Sequence, residues 1–102
     1  MNHRFQHIIN SSKPVLVDFY ADWCVPCKQI PPILEKVKNE FKEHVRIIKV
    51  NVDRNPYIAS QYKVQNLPTI MVFKEGAPKW KNEGVCDAEE IKLVVQKQIN
   101  GK

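Results

Sequence analysis

No run of eighteen or more apolar residues occurs in the 102-residue chain, so no membrane-spanning helix is encoded. Met1-Asn2-His3-Arg4-Phe5-Gln6-His7-Ile8-Ile9 contains neither an apolar h-region nor a small-residue cleavage site, which argues against a secretory signal. Cysteine is scarce. Of the three, Cys24 and Cys27 lie close together and Cys86 has no evident mate, which argues against an extracellular disulfide scaffold. That usage suits a reducing compartment, and a cytoplasmic location is the expectation. There is no second Cys-x-x-Cys, and His3, His7 and His44 are scattered, so a four-ligand zinc site lacks its donors. The net charge of +5 comes from no basic run. Lys36, Lys38, Lys42, Lys63, Lys74, Lys92 and Lys97 are dispersed and interleaved with acids, and no nucleic-acid-reading motif accompanies them. The excess charge is read as solvated faces that steer acidic partner proteins, with neither nucleic acid nor membrane as partner.

What is present is an ordinary globular composition, 43% hydrophobic and 26% charged, in one domain, residues 1–102. No repeats, linkers or low-complexity segments interrupt it. Phe5, Ile8 and Ile9 fall at helical spacing over residues 4–11, and Lys13-Pro14 breaks that helix. Val15–Tyr20 reads as a buried strand. From Cys27 to about residue 42, Ile30, Ile33, Leu34, Val37 and Phe41 form one helical stripe that Pro31-Pro32 interrupts, which predicts a kink. Val45–Val52 is a second strand. Asn55-Pro56 opens a short helix, with asparagine at the N-cap and proline first in the helix. Thr69–Phe73 is a third strand, and Glu75-Gly76 turns into a fourth around Pro78–Asn82, which Pro78 restricts to a sheet edge. Asp87-x-x-Glu90 caps a last helix whose apolar residues are Ile91, Val94, Val95 and Ile99. The order α-β-α-β-α-β-β-α predicts an α/β fold.

Trp23-Cys24-Val25-Pro26-Cys27-Lys28 follows directly on the first strand. A strand ending in a short loop before a helix puts Cys24 at an exposed helix N-terminus, where backbone N–H groups favour a thiolate. Cys27, one turn further in, is placed to attack a mixed disulfide formed by Cys24 and is expected to be the more buried and protonated of the two. Half of a metal site is the alternative reading of such spacing. A resolving thiol needs a base, and Asp18 is the candidate. Alternation groups it with Leu16 and Tyr20, and desolvation there raises a carboxyl pKa toward neutrality; the alternative is a strand-end acid facing solvent.

Val15–Lys28, Ile33-Leu34, Val50-Asn51-Val52-Asp53, Leu67-Pro68-Thr69 and Phe73-Lys74-x-Gly76 together resemble the thioredoxin family, over roughly residues 14–100. The resemblance implies a central mixed sheet with helices on both faces and activity as a general protein-disulfide reductase. It implies no bound cofactor, with NADPH acting only indirectly through a flavoprotein thioredoxin reductase, and electrons passing to disulfide-containing target proteins. A monomer is expected. In these terms Cys24 is the nucleophile, Cys27 the resolving thiol and Asp18 the proton acceptor beneath the dithiol. Lys49 is the assisting basic partner, a role that competes with that of a solvated strand lysine. Trp23, Val25, Pro26, Leu67, Pro68, Gly84 and Val85 would form an apolar docking rim, with Glu83 adding a charge. Local sequence favours a trans Leu67-Pro68 bond; the resemblance implies a cis one, with Leu67 offering main-chain groups to an extended substrate. Pro32 matches the family's helix-kinking proline.

Two departures stand out. The family's additional strand ahead of the first helix is missing, which predicts four strands and four helices, with Val45–Val52 at an edge protected by Arg46 and Lys49. Val25 replaces the usual glycine and stiffens the turn. A same-fold oxidase or isomerase, or a non-catalytic binding module using the same rim, is the competing function. Cys86 reads as a small apolar filler or as a regulatory thiol for oxidative dimerisation.

Overall fold

Alternation along β1 (Val15–Tyr20) divides the core into two halves. Val15, Val17 and Phe19 pack on one side of the sheet, and Leu16 on the other. The computed structural model describes residues 3–101. Around β1 lie α1 (His3–Ile9), α2 (Ile30–Phe41), β2 (Arg46–Asn51), α3 (Pro56–Gln61), β3 (Thr69–Lys74), β4 (Ala77–Glu83) and α4 (Ala88–Ile99). The four strands form one mixed sheet in the order β2-β1-β3-β4, with β1 and β2 parallel and the other pairs antiparallel. This is the four-stranded α/β architecture expected. Among the described residues no strand precedes α1, and β2 is left at an edge. β4 forms the opposite edge, as Pro78 requires, and the register slips where Pro78 meets β3.

One face carries α2 and α4. Ile30, Leu34, Val37 and Phe41 of α2 and Ile91 and Val95 of α4 bury against Leu16, Ile70 and Val72. The other face carries Phe5 and Ile9 of α1 and Ile58 of α3 against Val17, Phe19, Met71 and Phe73. There Phe5, Tyr62 and Phe73 form a ring cluster with centroids 5.1 to 5.9 Å apart. Lys74 pairs with Ala77 across a two-residue loop in which Glu75 (φ 54°) and Gly76 (φ 83°) are both left-handed, the hairpin geometry that matches strand twist.

Three local expectations are corrected. α1 runs His3–Ile9 rather than 4–11. The helix after Cys27 is not one kinked rod: Pro26–Gln29 is a 3₁₀ turn and α2 starts only at Ile30. Pro31 and Pro32 have no N–H to give the carbonyls four residues back, so regular α bonding cannot reach behind them, and the two prolines occupy the first turn, where that loss is free. Asn55 does hold the N-cap position of α3, but its side chain makes no cap bond and donates to the Asn51 carbonyl instead. Asp87 behaves as expected, accepting from the Glu90 N–H at 2.9 Å.

Candidate active site

Cys24 and Cys27 sit at the junction of β1 with the 3₁₀ turn and are joined by a disulfide, with Cα atoms 5.4 Å apart. The Cys27 N–H points at Cys24 Sγ, 3.2 Å away. A backbone donor aimed at that sulfur stabilises it as a thiolate once the bond is reduced. The expected order of burial is not observed. Cys24 is 3% exposed and Cys27 6%, so the first cysteine is no more open than the second. The cover comes from Ala21 and from remote chain, Val52 and Leu67, packed against the pair. Local spacing carries no trace of it.

The two cysteines differ instead in what they border. A groove of about 520 Å³ is lined by Cys24 but not Cys27, together with Trp23, Val25, Pro26, Asn66 and Leu67. On the other side a cleft of about 320 Å³ is lined by both cysteines, Asp18, Tyr20, Pro31 and Lys49.

Asp18 is 1% exposed, and neither carboxylate oxygen has a hydrogen-bond partner among the described residues. Burial therefore lifts its pKa from 3.8 to about 6, against the opposing pull of the Lys49 charge. The solvent-facing alternative for Asp18 is excluded. Lys49 is the register partner of Asp18 across the β1–β2 pair, and its Nζ lies 4.8 Å from the Tyr20 ring centroid. Lys49 is also exposed, as a solvated strand lysine would be.

Of the expected rim, Trp23 and Val25 are about 70% exposed (69% and 72%), and with Pro26 and Leu67 they line the groove. Trp23 is fixed by its indole N–H, which donates to Asp53 Oδ2 at 2.8 Å. The Leu67-Pro68 bond is cis. Pro68 itself is buried, and its carbonyl accepts from the Gly84 N–H at 2.7 Å, tying the loop after β4 to the loop before β3. Gly84 and Val85 thus flank the groove without lining it. Glu83, ending β4, accepts from Asn66 Nδ2 at 2.5 Å. Sequence patterns do not single out Asn66 or Val64. They reach the groove through loops, where no periodicity marks them. Asn51, within the Val50–Asp53 stretch that carries the resemblance, accepts from the N–H groups of Asp53 (2.9 Å) and Arg54 (3.2 Å) and so sets the turn that carries Asp53 to Trp23.

A redox-active cysteine pair at a strand-to-helix junction, with a buried carboxyl in the cleft behind it and an apolar groove in front, defines a dithiol–disulfide oxidoreductase. Comparison with known proteins agrees. The Thioredoxin family model matches residues 1–97. The chain is 46% identical to a thioredoxin of Rickettsia felis, covering 92% of this chain and 90% of that protein. It is 45% identical to a thioredoxin-like protein of Synechocystis, over 90% and 86% of the two chains. Among solved structures, a variant thioredoxin from Halobacterium salinarum superposes with a TM-score of 0.86 at 28% identity, over 97% of this chain and 86% of the other. The chain belongs to the thioredoxin family and is a protein-disulfide reductase.

Proposed function

We propose that this chain works as a single-domain monomeric electron carrier of the cytoplasm, reduced by an NADPH-dependent thioredoxin reductase and oxidised by disulfides of target proteins. In the proposed cycle the Cys24 thiolate attacks one sulfur of a target disulfide. A Cys24–target bond forms, the target's own S–S bond breaks, and the departing target thiolate takes a proton from water. Cys27 then loses its proton to the Asp18 carboxylate through the shared cleft and attacks Cys24 Sγ. The second target thiolate leaves, and the Cys24–Cys27 disulfide is the product. Two electrons have moved from this chain to the target.

The observation that carries this assignment is what the two cysteines border: Cys24 lines the groove and Cys27 does not, whereas both line the cleft that holds Asp18. A carboxyl with a pKa of about 6 is mostly ionised at pH 7 and is a competent base for a thiol. Lys49 assists by holding that pKa from rising further. The groove receives an extended target segment, with Trp23, Val25, Pro26 and Leu67 supplying apolar contact. Among the described residues no protein group pairs with the Leu67 N–H or C=O, which are thus available to such a segment. Pro68, Gly84 and Val85 frame it.

NADPH-coupled insulin reduction with a thioredoxin reductase, paired with a glutathione redox titration, tests the direction of electron flow. Turnover with a low potential is the expected result. An oxidising potential would assign the oxidase or isomerase reading, the alternative that Val25 in the active-site turn keeps alive. Cys27→Ser should trap targets on Cys24, and trapping on Cys27 in Cys24→Ser instead would reverse the two assignments.

A further inference from the structure

The outer edge of β2 (Arg46–Asn51) leaves a short stretch of backbone open. Arg46 N–H donates to the Pro14 carbonyl and Val52 N–H to the Tyr20 carbonyl, at 3.0 and 2.9 Å. Even-numbered residues of β2 therefore turn their peptide groups toward β1, and Ile47 and Lys49 turn theirs outward. Among the described residues no protein group pairs with the N–H or C=O of either. The ends of this edge are closed by side chains. Lys38 Nζ donates to the Val45 carbonyl at 2.7 Å, and Asn55 Nδ2 to the Asn51 carbonyl at 2.9 Å. What stays open is one short ladder, the N–H and C=O groups of Ile47 and Lys49, beside the Asn51 N–H.

A groove lies on each face of the sheet beside this window. One, of about 520 Å³, is lined by Leu34, Glu35, Lys38, Ile47 and Lys49. The other, of about 320 Å³, is lined by Arg4, Ile8, Arg46, Ile48 and Lys49. Ile47 packs against the core on the α2 side and Ile48 against the core on the α1 side, so the grooves receive opposite faces of any added strand. A strand laid along the window would send successive side chains alternately into the two grooves. The lining carries four cations, Arg4, Lys38, Arg46 and Lys49, and one acid, Glu35.

We infer that the β2 edge is a second docking site, on which an extended acidic segment of a partner protein adds as a fifth strand. The occupant is chosen by charge. A second copy pairing edge to edge would crowd two sets of Arg46 and Lys49 along the same short ladder, which like charges oppose. An acidic strand meets those cations with opposite sign and draws on the net charge of +5 at longer range. The site involves neither cysteine, so it can hold a partner in either redox state.

The test uses the ¹⁵N-labelled full chain and the capped heptapeptide of alternating Glu and Val, with an alternating Lys and Val peptide as control. Expected are shift changes concentrated at the Ile47 and Lys49 amides, at least about tenfold slower hydrogen exchange at those two positions, and affinity that falls as salt rises. Combining Arg4→Glu with Arg46→Glu should weaken binding about tenfold while insulin reduction is unchanged. Ile47→Pro removes an outward N–H that β1 does not use, and should abolish protection. The inference is overturned by silence at roughly 5 mM peptide, where even millimolar affinity would register. Equal binding of the Lys peptide, or shifts confined to Trp23 and Leu67, would overturn it as well. Concentration-dependent dimers protecting the same amides without peptide would replace the acidic partner with a second copy.

Discussion

Replacing Asp18 by asparagine should make stability depend on pH in a specific way. In the folded chain the carboxyl titrates at about 6, against 3.8 for an unburied aspartate. At a pH below 3.8 both states hold the proton and the carboxylate costs nothing. Between 3.8 and 6 the unfolded chain releases it while the folded chain retains it, so stability falls as pH rises. Above 6 both are ionised and the penalty is constant. A pKa unit is worth about 1.4 kcal/mol, which puts that penalty at about 3 kcal/mol. The amide of the Asp18→Asn variant cannot ionise. Once buried it carries its own cost for unmet hydrogen bonds, but that cost does not vary with pH and cancels when two pH values are compared. The stability of the variant relative to the parent should therefore rise by about 3 kcal/mol from acid to about pH 8, a gain in urea midpoint of about 1–3 M. Urea unfolding of the oxidised chains at half-unit pH intervals reads this directly. A difference flat to within about 0.5 kcal/mol would refute desolvation as the state of Asp18. Lys49→Met provides the complementary measurement. Losing the one charge that lowers this pKa should move the transition to higher pH.

The same Asp18→Asn change should slow resolution of the mixed disulfide by about a hundredfold at neutral pH and erase the inflection near about pH 6 in a single-turnover profile. Glu83→Gln removes a negative charge hydrogen-bonded to Asn66 on the groove wall. Iodoacetamide labelling of Cys24 should then set in at a lower pH, and an unchanged pH dependence would show that charge to be fully screened. Cys86 is 8% exposed, and burial with Glu90 and Asp87 nearby pushes its thiol from 9.0 to about 11. It should therefore stay reduced and monomeric on non-reducing gels after mild oxidation, and a dimer lost in Cys86→Ser would restore the regulatory reading. Asp87→Ala removes the cap of α4 and should cost about 1 kcal/mol in urea unfolding.

Elements with strong local signals are readable without any coordinates. β1 follows its apolar run residue for residue, and α4 follows its cap and its Ile91–Val95 stripe. The burial of Asp18 is legible too, because alternation assigns it to the face of Leu16. What fails is set by distant chain. The burial of Cys24 depends on Val52 and Leu67, which sequence spacing cannot bring together. The late start of α2 is decided by two missing N–H groups, so a proline pair that reads as a kink within a helix is instead its opening turn. The cis bond before Pro68 is visible only through family likeness, since the local residues favour trans. The groove wall of Val64 and Asn66 has no local signature at all.

Because Cys24 lines both the groove and the cleft behind it while Cys27 lines the cleft alone, a protein seated in the proposed groove would leave the rear doorway uncovered. In the proposed cycle hydrogen ions would then come and go by that back route while the visitor is still attached. Release of a bound client would be governed by sulfur exchange itself, and grip strength at the front could be tuned without choking the exit behind.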